Sequence, residues 1–249
     1  MPDPAFAACI AAAELDWIVP EWPAPPNVHA LSTTRNFGLE REIDFSARSP
    51  GIARARNELR NFIPREPLWL AQEHGAVIAS ADATPANAPR ADGAVARNAG
   101  NVCAILTGDC MPVLFSSRDG AVVAAAHAGW RGLAAGVVEA TLDAMRVEPT
   151  GVLVWLGPAI GPSAFEVGAD VHATFTTRDP ATEACFKQVR SGKWHADLYA
   201  LVRYRLARAG VRDVHGGGRC TFTERGAFYS YRRGGEDASR RMATVIWHT

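Results

Sequence analysis

Apolar positions along the chain fall into two kinds of run. Short runs at 28–33, 68–71, 102–106, 113–117, 121–126, 152–156, 228–231 and 244–247, most of them bounded by Gly, Pro or Asp, predict strands. Stretches at 52–62, 133–145 and 198–209 predict helices. In the second of these, Leu133, Val137, Ala140 and Ala144 fall on one face. The third starts after Asp197, a natural N-cap, and stops at Gly210, a natural residue just past a helix end. Several strands follow one another with no helix between them, which predicts hairpins mixed with helices. That is an α+β fold rather than a doubly wound parallel sheet.

Pro20, Pro23, Pro25 and Pro26 lie close together with Trp17 and Trp22 among them, so this stretch is expected to run extended over the surface. Residues 1–27 read as a lead-in segment and 28–249 as one domain. Strand and helix signals alternate from Val28 onward with neither a low-complexity gap nor an internal repeat.

Charge and composition narrow the function. The 249 residues hold 26 Lys+Arg against 26 Asp+Glu, so the formal charge is zero and a generic polyanion binder is excluded, nucleic acid included. Five cysteines, at 9, 103, 110, 185 and 220, form no CxxC pair; their odd number points to a reducing compartment. Asp3 stands where a signal peptide needs positive charge, so the small apolar stretch behind it reads as an N-terminal helix or frayed end. No run approaches the roughly 20 apolar residues of a membrane span. A soluble, cytoplasmic protein with no membrane partner is expected.

The most informative stretch is 107–132. Asp119-Gly120 between two apolar runs predicts a two-residue type I′ hairpin turn that pairs Arg118 with Ala121. Under that register Pro112 faces His127, and Cys110 lies two residues further along the same face, within side-chain reach. Three readings of the pair are open: a buried thiol beside a satisfied core histidine, a Cys–His nucleophile pair, or a metal site with His74 as third ligand. Behind His127, Gly129-Trp130-Arg131-Gly132 enters a helix, where exposed N–H groups and the Arg131 guanidinium favour an anion. Asp109 reads either as a ligand-orienting, proton-carrying group or as a local hydrogen bonder.

Several motifs then occur in order. They are Gln72-x-His74-Gly75, Ala91-Asp92-Gly93, Thr107-x-Asp109-Cys110-x-Pro112-Val113-Leu114, the 127–132 stretch, Leu156-Gly157-Pro158-x-Ile160-Gly161-Pro162, Phe165-Glu166-Val167-Gly168 and Phe228-Tyr229-Ser230-Tyr231-Arg232-Arg233. With them the chain resembles the purine nucleoside phosphorylase family also labelled laccase-domain, polyphenol oxidase or peptidoglycan-editing-factor proteins. The resemblance implies a single α+β domain of layered mixed sheets flanked by helices, with a core like that of the cysteine hydrolases of cytotoxic necrotizing toxins. It implies a zinc ion on His74, Cys110 and His127, which are then also the catalytic residues. It further implies phosphorolysis of adenosine, inosine and S-methyl-5′-thioadenosine, together with adenosine deamination. Purine nucleosides and phosphate are the expected partners, with phosphate near Arg131 or Arg35. Family members carry a Gly-Gly-Val-Ser and Pro-Tyr stretch after Ser-Thr-Arg; here Thr34-Arg35 leads into Asn36-Phe37-Gly38-Leu39-Glu40, a loop expected to border the pocket.

Rival classes are weaker. A multicopper oxidase needs His-x-His pairs, and the seven histidines, at 29, 74, 127, 172, 195, 215 and 248, form none. Copper is therefore the lesser alternative to zinc. His215-Gly216-Gly217-Gly218 has no Gly-x-Ser-x-Gly elbow to accompany it and reads as a turn. Metal-free Cys–His hydrolysis with a peptidoglycan-editing role is the remaining alternative.

Overall fold

The computed structural model describes residues 4–37 and 42–249. The loop after Arg35 that departs from the family pattern lies partly at 38–41, outside the described residues. In chain order the elements are α1 (Pro4–Ala12), β1 (Val28–Ser32), α2 (Ile52–Arg60), β2 (Ile78–Ser80), β3 (Gly93–Ala96), β4 (Cys103–Thr107), β5 (Met111–Ser117) and β6 (Val123–Ala128). They continue with α3 (Trp130–Ala135), α4 (Val137–Met145), β7 (Val152–Leu156), β8 (Glu166–Gly168), α5 (Ala169–Thr176), β9 (Phe186–Arg190), β10 (Lys193–Ala196), α6 (Leu198–Arg208), β11 (Asp213–Gly216) and β12 (Met242–His248).

Among the described residues the strands form a six-stranded sheet in the order β11-β7-β5-β6-β3-β2, a three-stranded sheet β1-β12-β4, and a smaller sheet β8-β10-β9. The large sheet is mixed: β11 with β7 and β2 with β3 run parallel, while β3, β5, β6 and β7 pair antiparallel. Strand alternation explains the layering, because successive side chains point to opposite faces. On β5, Val113 and Phe115 enter a core with Leu133, Val138 and Leu142 of the helices, while Leu114 faces the second sheet with Ile105 and Ile246. On β12, Ile246 faces inward and Val245 and Trp247 join Leu31, Ala55 and Leu59 on the outer side. The result is one α+β domain of four layers: α1 and α2, the β1-β12-β4 sheet, the large mixed sheet, then α3, α4 and α6.

Four expectations need correction. The stretch 68–71 is not a strand; Leu68 and Ala71 each make a single parallel bridge, to Cys103 and Arg90. Nor is 228–231, where Phe228 and Tyr229 are buried as loop residues against Met242. The helix expected over 133–145 is two, α3 and α4, because Gly136 takes φ +92 between them. That break turns the buried face of α4 to Val137, Val138, Thr141, Leu142 and Met145, and leaves Ala140 and Ala144 only half buried. Residues 13–27 contain no helix, but they do not merely skirt the surface: Trp17 and Trp22 are buried, and Ile18 bridges to Ser32. At α6 the expectation holds, with the Asp197 carboxylate accepting from Ala200 N at 2.9 Å and Gly210 at φ +93 beyond the end.

Asp82 ties two loops beside the sheets by accepting from Arg97 N, Asn98 N and Asn101 Nδ2 at 2.9–3.2 Å. Burial works against its charge, but the bonds from Asn101, Asn98 and Arg97 outweigh it and hold the carboxyl below the usual aspartate range. A depressed folded pKa contributes stability above the unfolded value, and that contribution is lost as pH falls through the folded one. Asp82→Ala is therefore expected to lose about 1–2 kcal/mol at neutral pH, a charge-assisted hydrogen-bond contribution discounted for partial exposure. Denaturant titrations should show the gap to wild type closing below about pH 4. A gap independent of pH would count against the charge.

Candidate metal centre

Cys110 stands immediately before β5, and His127 lies near the end of β6, paired with Pro112 as the sequence register requires. The turn itself differs. Gly120 has φ +71, but Asp119 does not take a positive φ, so the type I′ geometry is absent. The Asp119 carboxylate instead accepts from Ser117 Oγ at 2.5 Å and Ala121 N at 3.0 Å, and the last paired amide is Ser117 N to Val122 O. The loop is thus four residues, not two. An even loop keeps the same side-chain parity, so Cys110 and His127 still meet on one face.

His74 is delivered from a different segment. The Gln72 side chain forms a two-way clasp with β4, its Nε2 donating to Leu106 O at 2.9 Å and its Oε1 accepting from Leu106 N at 2.8 Å. His74 then takes φ +63, the left-handed region that L-residues enter only when their surroundings hold them there. Those surroundings are the Asp92 carboxylate, which accepts from Glu73 N, His74 N and Gly75 N at 3.1, 2.8 and 2.7 Å. Asp92 also meets His127 Nδ1 at 2.9 Å.

These segments bring His74, Cys110 and His127 together, with one ligand atom from each lying within 4.8 Å of the others. His127 is buried, Cys110 half-buried and His74 exposed, so the group opens to solvent on one side. Burial opposes ionisation of the Cys110 thiol, but the His127 charge and hydrogen bonds from His127 and His74 prevail and bring it down to about 6. Burial likewise opposes a charged His127, while the Cys110 thiolate and Asp92 raise it to about 9. The group therefore favours a thiolate facing an imidazolium, and a thiolate is the form in which cysteine attacks or binds metal. Close packing accompanies this charge: a Cβ on Gly129 would stand 2.5 Å from Cys110 Sγ and 3.6 Å from His74 Cδ2.

The other proposed residues lie differently. Arg131 is exposed on the first turn of α3 and stacks on Trp130 at 4.6 Å. Arg35 is not free to meet an anion in the same way: its guanidinium bonds the Glu42 carboxylate, lies 3.6 Å from Asp237 and stacks over Tyr229. Asp109, at φ +118, is a hub of buried hydrogen bonds, accepting from Thr221 Oγ1, Ser230 Oγ and Arg232 N at 2.5, 3.0 and 2.6 Å. It draws the C-terminal loops around the segment that carries Cys110. Asp92 is the residue that sequence reasoning passed over. The signal was present in Ala91-Asp92-Gly93, but an Asp before Gly reads first as a turn.

Fold and site together define an α+β protein with a His-Cys-His group able to hold a metal ion. The chain belongs to the family described as multi-copper polyphenol oxidoreductase laccase, whose model matches residues 35–249. It is 44% identical, over 93% of its length, to a Pseudomonas aeruginosa protein named purine nucleoside phosphorylase, and it covers 98% of that protein. An Escherichia coli relative of the same name, YfiH, is likewise 44% identical, with 92% of this chain and 98% of the relative covered. The crystal structure of a Neisseria meningitidis protein matches with a TM-score of 0.89 and 42% identity, covering 94% of this chain and 99% of that one.

Proposed function

We propose that the protein is a zinc-dependent purine nucleoside phosphorylase acting on adenosine, inosine and S-methyl-5′-thioadenosine, with adenosine deamination as a second activity of the same pocket. The observation that carries this reading is the convergence of His74, Cys110 and His127 in a chain 44% identical to relatives named purine nucleoside phosphorylase. Two imidazoles and one thiolate suit zinc with a fourth position open, the pattern of a catalytic rather than a structural site. The same set suits a single copper ion. Multicopper oxidation, however, requires further clusters, and among the described residues this is the one group of three or more such ligands.

When bound, zinc supplies Lewis-acid polarisation to the pocket. The chain's own residues do the rest. Arg131, two residues beyond Gly129 and exposed, provides the cation for phosphate. Arg35 is the second cation we assign to phosphate, its charge shared with Glu42. In phosphorolysis a phosphate oxygen bonds to C1′ as the glycosidic C–N bond breaks, and the base departs with the bonding pair and takes up a proton. In deamination water replaces the exocyclic amine and ammonia leaves. Five free cysteines suit a reducing interior, and we place the enzyme in the cytoplasm. The likeness of the core to cysteine hydrolases of cytotoxic necrotizing toxins is carried by the family resemblance and belongs to the same proposal.

Zinc-loaded protein incubated with adenosine and phosphate is expected to yield adenine, ribose 1-phosphate and inosine on chromatography. Copper-loaded protein given a phenol is expected to consume no oxygen. Absence of all three nucleoside products, or steady oxygen uptake, overturns the reading.

A further inference from the structure

Four hydrogen bonds converge on one buried carboxylate. Asp92 is 1% exposed, so solvent does not satisfy its oxygens and the protein must. Oδ1 faces His74 N at 2.8 Å and His127 Nδ1 at 2.9 Å; Oδ2 faces Glu73 N at 3.1 Å and Gly75 N at 2.7 Å. An ionised carboxylate accepts only, with about four lone-pair sites. Two partners on each oxygen use all four. Every group turned toward Asp92 must therefore be a donor, the imidazole nitrogen included.

We propose that Asp92 is the positioning residue of the metal centre, its saturated carboxylate holding both histidine arms and fixing His127 with a proton on Nδ1 and the Nε2 lone pair toward the metal. This rests on the metal reading above. One group thereby controls two ligands from distant segments: the 73–75 amides that keep His74 in its left-handed conformation, and the ring of His127. The Asp92 main chain is fixed separately, its N–H donating to Val77 O at 2.9 Å and its carbonyl accepting from His127 N at 2.7 Å. Changing the side chain thus leaves the backbone anchors in place.

Asparagine is the informative replacement, because an amide has one acceptor oxygen and a donating NH2. If the NH2 takes the place of Oδ1, it opposes the His74 N–H and makes the His127 ring accept at Nδ1 and carry its proton on Nε2, which removes the lone pair from the metal. If the NH2 faces the loop, it opposes the Glu73 and Gly75 N–H groups and releases the His74 arm. Either orientation disturbs at least one ligand.

Zinc affinity measured by competition with a chromophoric chelator is expected to fall about 10- to 100-fold in Asp92→Asn, the range typical when a group behind a metal ligand is lost. Thermal unfolding of the metal-free proteins separates this from a loss of folding. Cobalt substitution adds a readout that a merely structural role would not move: thiolate-to-cobalt charge transfer should persist while the ligand-field bands of the tetrahedral site weaken. Nitrogen-resolved NMR of the zinc-loaded wild type, which needs no variant, should show His127 protonated at Nδ1. A wild-type protein that binds no zinc overturns the metal reading and this proposal together. Undiminished affinity in Asp92→Asn, or an Nε2 proton on His127, overturns the role of Asp92 alone.

Discussion

On the proposed zinc phosphorylase reading, Cys110→Ala is expected to fold, to bind no metal and to lose phosphorolysis by about 10³-fold or more, the scale on which electrostatic stabilisation in an active site acts. The reasoning is local. Cys110 is half-buried, so removing one sulfur leaves little cavity, and the flanking register of β5 with β6 does not depend on it. What is lost is the one anionic side chain of the three, and with it the larger of the two charges that raise His127, Asp92 being the other. Two histidines remain, one of them exposed, which is too few to retain zinc tightly. Metal content by elemental analysis and turnover of adenosine with phosphate should fall together. Full retention of both would refute the ligand assignment.

Gly129→Ala should produce the next largest effect, by a different route. The backbone there, φ −75 and ψ 167, is open to any residue, so conformational freedom is not the reason for glycine. Space is the reason. The added methyl would sit 2.5 Å from Cys110 Sγ, well inside contact, and the thiolate must move. Forcing a methyl into a packed site costs roughly 1–3 kcal/mol, which corresponds to about 10- to 100-fold in metal affinity. Chelator competition would read it directly. Wild-type affinity in this variant would mean that the sulfur is not held where the His74 and His127 rings require it.

Much of this site was legible in the sequence, and the reasons it was legible are specific. Cys110 and His127 were placed together by strand parity alone, and parity survives an error in the turn: two residues or four, the same faces meet. The expected strand at 152–156 coincides with β7, and those at 28–33 and 244–247 fall on β1 and β12 with ends off by one or two residues, because these apolar runs are almost wholly buried. Other elements gave no such signal. β9 buries only Phe186 and exposes Lys187, Gln188, Val189 and Arg190, so its composition reads as loop. In the other direction, Phe228 and Tyr229 are fully buried without pairing in a sheet, because Glu224 O and Met242 Sδ accept from their N–H groups and the Arg233 guanidinium donates to Phe228 O. Periodicity reports burial, not hydrogen-bond pattern. The role of Asp92 was the hardest to foresee, since a buried carboxylate gains meaning only when four donors from remote segments are seen around it.

The clasp between Gln72 and Leu106 has an experimental use. A side-chain amide has taken the place that a neighbouring strand's peptide group would occupy, so the Leu106 N–H is capped by a residue only two positions from His74. Its rate of exchange with deuterated solvent thereby becomes a single-site gauge of whether the histidine arm is docked or lifted. The arm can be followed in this way with the metal present or absent, and without altering any residue of the centre.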